Sequence, residues 1–204
     1  MSEKKGETLY VAVDVEKKGA KFEHPIIQIG VAYGTSLQNV KTRSFCFDYA
    51  NVPFEQRCYD EFWSKFLDTY KRIQAEAKEP KGQWKAFADF LQELEDQYPS
   101  IEIWSDNPAY DVEAIDFHLN DELKRAGIRY SSKMQYRYVT DYPQVLIGLP
   151  KHLRDAIKQK AMKLAAHTHW AEDDAKNIFV RSMLIKNVVA IMRRAEDEIA
   201  ATLA

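Results

Sequence analysis

Two carboxylates stand together near the beginning of the chain, where they could hold a divalent cation. Asp14 and Glu16 are two residues apart at the end of an apolar run typical of a strand, so their side chains point to the same face. Two ionised carboxylates at this separation repel each other, and a cation between them offsets that repulsion. Oxygen ligands without cysteine suit Mg²⁺ or Mn²⁺ better than zinc. Taken alone, an Asp-x-Glu pair at a strand end is more often part of a solvated turn than a metal site.

Another acid, Asp111, follows a predicted helix start. Asn107 is typical of an N-cap and Pro108 of the first helical position, so Asp111 lies just past the first turn. Its carboxylate would then lie near the carboxyl end of the preceding strand, where α/β sheets bind ligands. For the remaining acids of this stretch we prefer a simple interaction with the helix dipole: Asp106, Glu113 and Asp116.

The last predicted helix begins with a histidine and a further acid. His169 precedes the helix and Asp174 lies in its second turn, so an imidazole and a carboxylate can reach one cavity. An imidazole with a pKa of about 6.5 can take a proton from water near neutral pH. A single histidine can also be structural, and His167 is a rival because it stands five residues before Glu172. We prefer His169, which has Ala at the second following position and Asp at the fifth.

These segments resemble the DEDDh exonucleases, a superfamily that includes proofreading domains of DNA polymerases, oligoribonuclease and the ribonuclease T group. The family motifs are Asp-x-Glu at the end of the first strand, an Asn followed by an aromatic-Asp pair, and His-x-Ala-x-x-Asp opening the last helix. Each motif is loose, but all three occur here in order and on matching elements. They read Asp14-Val15-Glu16, Asn107-Pro108-Ala109-Tyr110-Asp111 and His169-Trp170-Ala171-Glu172-Asp173-Asp174.

The resemblance implies a 3′-5′ exonuclease that releases nucleoside monophosphates and works with two divalent ions, Mg²⁺ or Mn²⁺. His169 would be the general base. Four carboxylates would hold the ions, with the first in contact with both: Asp14, Glu16, Asp111 and Asp174. The chemistry of the residues agrees, because two ions can clamp the attacking and leaving oxygens of a phosphodiester, whereas four bare carboxylates would repel a phosphate.

The loop after the first motif departs from the short Thr-Gly turn of many relatives, since it is longer and basic. Lys17, Lys18 or Lys21 could meet phosphates while Phe22 stacks on a base. A solvated basic hairpin is the alternative. The predicted substrate-binding residues are Lys17, Phe22, Asn107 and Tyr110.

Composition indicates an ordinary globular domain. The 204 residues fit a single domain, and 29 Lys and Arg against 31 Asp and Glu exclude a protein that coats nucleic acid through its overall charge. Two cysteines, a polar start and no long apolar run predict a soluble protein without a membrane span, in the cytoplasm or another reducing compartment. The oligomeric state stays open, a homodimer included.

Hydrophobic periodicity predicts an α/β domain with a mixed five-stranded sheet covered by helices on both faces. The family resemblance implies that this sheet is ribonuclease H-like. The strands are predicted at 9–15, 26–33, 42–48, 101–105 and 136–141. The helices are predicted at about 55–77, 84–98, 108–127, 151–166 and 171–200. Residues 54–82 form a helical insert that either thickens the core or makes a wall beside the site.

The preferred function is therefore a metal-dependent exonuclease acting on single-stranded 3′ ends of DNA or RNA. One alternative is a non-catalytic nucleic-acid-binding or polymerase-docking module with the same fold. Another is an endonuclease, which would also cut circular strands.

Overall fold

One mixed sheet organises the computed structural model, which describes residues 7–125 and 139–203. Its order is β3-β2-β1-β4-β5; β2 is antiparallel to β1 and β3, and β4 is parallel to β1 and β5. The predicted five-stranded mixed sheet is confirmed, although residues 136–138 of the last predicted strand lie outside the described residues. The strands are β1 Thr8–Lys17, β2 Ile26–Gly34, β3 Lys41–Cys46, β4 Ser100–Ser105 and β5 Val139–Asp141.

Helices cover both faces of this sheet. The end of the third predicted helix, at Gly127, lies outside the described residues. No helix in the described ranges is long and apolar enough to cross a membrane. The helices are α1 Gln56–Glu61, α2 Leu67–Glu76, α3 Pro80–Gln97, α4 Pro108–Arg125, α5 Tyr142–Ile147, α6 Lys151–Leu164 and α7 Ala171–Leu203.

The predicted continuous helix over 55–77 is wrong. A 3₁₀ turn at Trp63–Lys65 separates α1 from α2, and Phe62 and Phe66 leave helical backbone geometry on either side of it. In a continuous helix the side chain of Trp63 would point about 100° away from that of Phe62, and therefore away from the apolar face that packs on the core. The break instead lets Trp63 become fully buried, with its indole N–H donating to the carbonyl of Lys17 at 2.8 Å. Burial of the largest side chain overrides the local helical pattern.

Helix α5 is not among the predicted helices. Asp141 at the end of β5 caps it by accepting the N–H of Gln144 at 3.0 Å, and Pro143 occupies the first turn. Proline is tolerated at such positions because the first helical N–H groups have no partner within the helix. The Tyr142-Pro143 pair therefore opens a helix.

The alternation of β1 decides which side of the sheet carries the acids. Val13 and Val15 pack in the core cluster formed with α3 and α4, whereas Ala12 packs in the cluster formed with α7. Successive strand residues point to opposite faces. Asp14 and Glu16 therefore share the face on which α7 lies.

Candidate active site

The carboxyl end of β1 supplies two acids. Asp14 pairs with Gly30 of β2, and a register shift follows between Glu16 and Lys17. Glu16 is only 7% exposed, although it is an acid at a strand end. A buried carboxylate is expected to have a charged or hydrogen-bonding partner, so this pair points to a ligand.

The junction between β4 and α4 holds a third acid in a fixed position. The hydroxyl of Ser105, which is fully buried, donates to Asp111 Oδ2 at 2.6 Å. The same hydroxyl accepts the backbone N–H of Asn107 at 3.0 Å, and Asn107 O accepts the N–H of Asp111 at 2.9 Å. Asp111 is 2% exposed and cannot rotate away without breaking this set.

The amino end of α7 folds around the fourth acid. Asp174 accepts the backbone N–H of Thr168 at 2.8 Å and that of His169 at 3.0 Å. His169 has a left-handed φ of 58°, a conformation that turns the chain back over the carboxylate. Gln28 of β2 accepts the first helical N–H, that of Ala171, at 3.1 Å. This hydrogen bond attaches the start of α7, and with it His169 and Asp174, to the sheet.

Two imidazoles lie beside Asp174. His167 Nδ1 is 2.6 Å from Asp174 Oδ1, whereas His169 packs its ring against Phe62 and Phe66 at centroid distances of 5.0 and 4.2 Å. Burial lowers the pKa of His169, and the neighbouring His167 lowers it further. The hydrogen bond to Asp174 chiefly raises the pKa of His167. His169 is therefore the imidazole with the stronger tendency to be neutral.

The separate segments meet in a cavity of about 380 Å³. Carboxylate oxygens of Asp14, Glu16 and Asp174 lie within 4.8 Å of one another, and so do those of Asp14, Asp106 and Asp111. Asp14 belongs to both groups and stands between them. The fold thus brings together all five predicted catalytic residues: Asp14, Glu16, Asp111, His169 and Asp174.

Asp14, Glu16 and Asp111 resist ionisation as long as no cation joins them. Burial raises the pKa of Asp14 well above its usual range, and the charges of Asp111, Glu16 and Asp174 add to the effect. Burial likewise raises the pKa of Glu16, and it raises that of Asp111 to about 8. Divalent cations would relieve both the burial cost and the repulsion.

The donor set fits hard divalent ions. Within the described residues the two groups around Asp14 contain carboxylates only, and Cys58, which also lines the cavity, belongs to neither. Clustered carboxylates are the preferred ligands of Mg²⁺ and Mn²⁺. The buried, mutually repelling oxygens of Asp14, Glu16 and Asp111 are the observation that favours such ions here.

The predicted substrate-binding residues have different positions. Asn107 and Tyr110 line the cavity. Lys17 lines it too, but its ammonium donates to the carbonyls of Lys21 at 3.2 Å and Tyr110 at 3.0 Å, and lies 3.6 Å from the Tyr110 ring centroid. Phe22 lies outside the cavity wall, 40% exposed, with its ring against Phe117. Substrate binding by these residues stays a prediction.

The basic loop is less free than its composition suggests. Lys18 is 2% exposed, and its ammonium donates to the carbonyls of Tyr49 at 2.6 Å and Val52 at 2.5 Å. It therefore has a structural role and is not available to a phosphate. Lys21 is exposed and lies 3.9 Å from Glu23.

Several cavity residues were not predicted. Asp106, assigned above to the helix dipole, has an oxygen within 4.8 Å of Asp14 and Asp111. The insert contributes Arg57 and Phe62 to the wall, so besides thickening the core it borders the site. His167 lines the cavity as well. The adjacency of Asp106 to the second motif was the available signal; nothing in the pattern of the insert singled out Arg57.

Known proteins resemble this chain in fold and not in sequence. No protein-family model matches the sequence, and no curated protein matches it. The structure of E. coli ExoI with single-stranded DNA, in a zinc-bound form, aligns with a TM-score of 0.56 at 14% identity over 89% of this chain. Cell-death related nuclease 4 (CRN-4) aligns with a TM-score of 0.56 at 16% identity over 88% of this chain.

The chain spans 41% of the matched ExoI chain and 64% of the CRN-4 chain. At identities this low, the two matches show a shared fold. The chain has a ribonuclease H-like fold.

Proposed function

We propose that the chain is a metal-dependent 3′-5′ exonuclease of the DEDDh type, which hydrolyses the terminal phosphodiester of a single strand and releases nucleoside monophosphates. The observation that carries the proposal is the position of Asp14, shared between two groups of closely spaced carboxylates that come from three separate segments of the chain. Nuclease folds in the two solved structures support a hydrolase acting on nucleic acid.

Each acid has a role under this proposal. Asp14 would contact both divalent ions, Mg²⁺ or Mn²⁺, and the remaining ligands would be Glu16, Asp111 and Asp174. When bound, such ions supply positive charge that stabilises the attacking and leaving oxygens of the phosphodiester. Ser105 and the backbone N–H groups of Thr168 and His169 hold two of the carboxylates in place. This outer layer keeps the ligands in one geometry before substrate arrives.

His169 would act as general base. Its ring lines the cavity, its pKa is lowered by burial, and Phe62 and Phe66 restrict its rotation. A neutral imidazole near the reacting phosphate can accept the proton of the attacking water. His167, bound to Asp174, is less available for this role.

The cavity also limits the substrate. Its volume of about 380 Å³ is at the small end of the range for ligand sites and suits one terminal nucleotide. Phe62 and Tyr110 offer aromatic surface, and Arg57 stands on the wall beside them. We infer that Arg57 contacts a phosphate of the strand, since its side chain is exposed and forms no ion pair with an acid of the described ranges.

Product analysis of end-labelled single strands tests the proposal. Linear DNA and RNA labelled at either end are incubated with Mn²⁺ or EDTA, using wild type beside Asp14→Ala and His169→Ala. The proposal expects metal-dependent stepwise shortening from the 3′ end that both substitutions abolish, and the preferred sugar identifies the substrate class. Mononucleotide release by purified Asp14→Ala would contradict it.

Circular single strands separate the alternatives. Their cleavage would indicate an endonuclease, because an exonuclease needs an end. Metal binding without cleavage of any strand would favour a non-catalytic nucleic-acid-binding module.

A further inference from the structure

Two imidazoles and one carboxylate lie together at the edge of the carboxylate cluster. His167, His169 and Asp174 each offer one ligand atom, and these atoms lie within 4.8 Å of one another. His167 Nδ1 is already 2.6 Å from Asp174 Oδ1, and the two imidazole centroids are 4.9 Å apart. The role of His167 is not accounted for by the hydrolysis proposed above. Two nitrogens and one oxygen differ in chemistry from the neighbouring all-carboxylate groups.

Two of these three side chains are already held in place before any ion binds. Asp174 is fixed by the N–H groups of Thr168 and His169, and the His169 ring is packed by Phe62 and Phe66. The left-handed φ of His169 keeps this short segment wrapped around the carboxylate. Little conformational freedom would be lost by Asp174 and His169 when an ion binds.

The third ligand can adjust. The side chain of His167 is 50% exposed, so its ring can shift without disturbing the core. Zinc–nitrogen distances of 2.0–2.1 Å place tetrahedral ligand atoms about 3.3 Å apart. The present separation of 2.6 Å between His167 and Asp174 would have to widen by less than about 1 Å.

We propose that His167, His169 and Asp174 form a site for Zn²⁺ or a similar transition-metal ion. Imidazole nitrogen selects such ions over Mg²⁺, and three protein ligands with an open fourth position describe a familiar zinc geometry. All three residues line the cavity, so an ion that they hold would be accessible from it. Binding of zinc here does not depend on the proposed nuclease activity.

The effect of zinc on hydrolysis, unlike the binding of zinc itself, rests on the proposed function. Zinc bound at His167 would occupy the imidazole of His169, the proposed base, and would compete for Asp174, a proposed ligand of the working ions. Zinc should therefore inhibit hydrolysis that Mg²⁺ or Mn²⁺ supports. The site would make the enzyme sensitive to the level of free zinc.

Binding is tested with Co²⁺ as a spectroscopic substitute and with Zn²⁺ in competition with a chromophoric chelator. Wild type is compared with His167→Ala and His167→Asn, and with His152→Ala, which removes an exposed histidine of α6. We expect visible bands of tetrahedral Co²⁺ in wild type and in His152→Ala. Both His167 variants should lose them and bind zinc at least about 10-fold more weakly. Circular dichroism establishes that each variant is folded.

Asp14→Ala separates this site from the carboxylate cluster, because Asp14 is outside the proposed zinc set. It should retain the Co²⁺ bands although hydrolysis is lost. Bands that depend on Asp14 but not on His167 would overturn the zinc proposal. Bands that depend on His167 in a protein that cuts no strand would support the zinc site while contradicting the nuclease.

In an active preparation, zinc titrated against saturating Mg²⁺ should inhibit wild type at concentrations at least about 10-fold lower than it inhibits His167→Asn. Equal inhibition of the two proteins would contradict the proposed link between this site and hydrolysis.

Discussion

Gly30 of β2 lies directly against the backbone of Ala171, the first residue of α7. A Cβ atom at position 30 would overlap the carbonyl group of Ala171 and the nitrogen of Glu172. Gly30 is also the sheet partner of Asp14. This single position without a side chain therefore sets how closely the end carrying His169 and Asp174 approaches the acids of β1.

Gly30→Ala should displace the start of α7 and reduce metal-dependent hydrolysis by more than about 100-fold, because small errors in position cost much of the rate. The unfolding temperature should also fall, since the overlap is with backbone and cannot be relieved by a rotamer change. Activity assays and thermal unfolding measure the two effects.

Gly82→Ala is the matched control for this substitution. In α3 the added methyl would meet only the Glu79 carboxylate at 3.4 Å, and alanine favours a helix by about 1 kcal/mol over glycine. Unchanged activity and equal or higher stability are expected. Full activity of Gly30→Ala would contradict the positioning role of Gly30.

The metal-free protein should become less stable as the pH rises. The pKa of Asp111 is raised by burial from 3.8 to about 8, so the folded protein binds a proton that the unfolded chain releases. The stabilisation that the Asp111 carboxyl contributes is complete below pH 3.8 and is lost as the pH approaches 8. In EDTA, the melting temperature of wild type should therefore fall between pH 5.5 and pH 8 by more than that of Asp111→Asn.

Divalent cations should counteract the loss of stability at high pH. Bound Mg²⁺ or Mn²⁺ favours the ionised carboxylates, so the stabilisation that it gives should be larger at pH 8 than at pH 5.5. Thermal unfolding with and without the ion measures the difference. An equal gain at both pH values would argue against Asp111 as a ligand.

Ser105→Ala should lower activity by about 10- to 100-fold by releasing Asp111 from its orienting hydroxyl. The metal concentration needed for half-maximal activity should rise at the same time, which a simple loss of stability would not cause. Ser182→Ala, whose buried hydroxyl donates only to the Ile178 carbonyl of its own helix, is the control. Equal effects of the two substitutions would rule out an orienting role.

Arg57→Ala should raise KM about 10-fold with little change in kcat, because a phosphate contact away from the reacting bond affects binding of substrate and transition state equally. The effect should shrink as ionic strength rises. Arg193→Ala removes an exposed guanidinium near the end of α7 and should leave KM unchanged. A fall in kcat alone would assign Arg57 another role.

The strands, the longer helices and the acids of the three motifs could be predicted because they depend on short-range patterns. Alternation in β1 puts Asp14 and Glu16 on one face whatever the rest of the chain does. Asn107 and Pro108 mark the start of α4 by local capping chemistry, so the place of Asp111 just inside the helix follows from the sequence alone.

Tertiary structure decided what the local patterns could not. Burial of Trp63 against the end of β1 breaks the predicted helix, and the same insert lines the cavity with Phe62 and Arg57. Backbone carbonyls from distant residues take up the ammonium of Lys18 and remove it from solvent. The contact of Gly30 with Ala171 brings the end of α7 to the acids of β1. Such contacts join residues far apart in the chain, and their energies depend on packing that no short window of sequence contains.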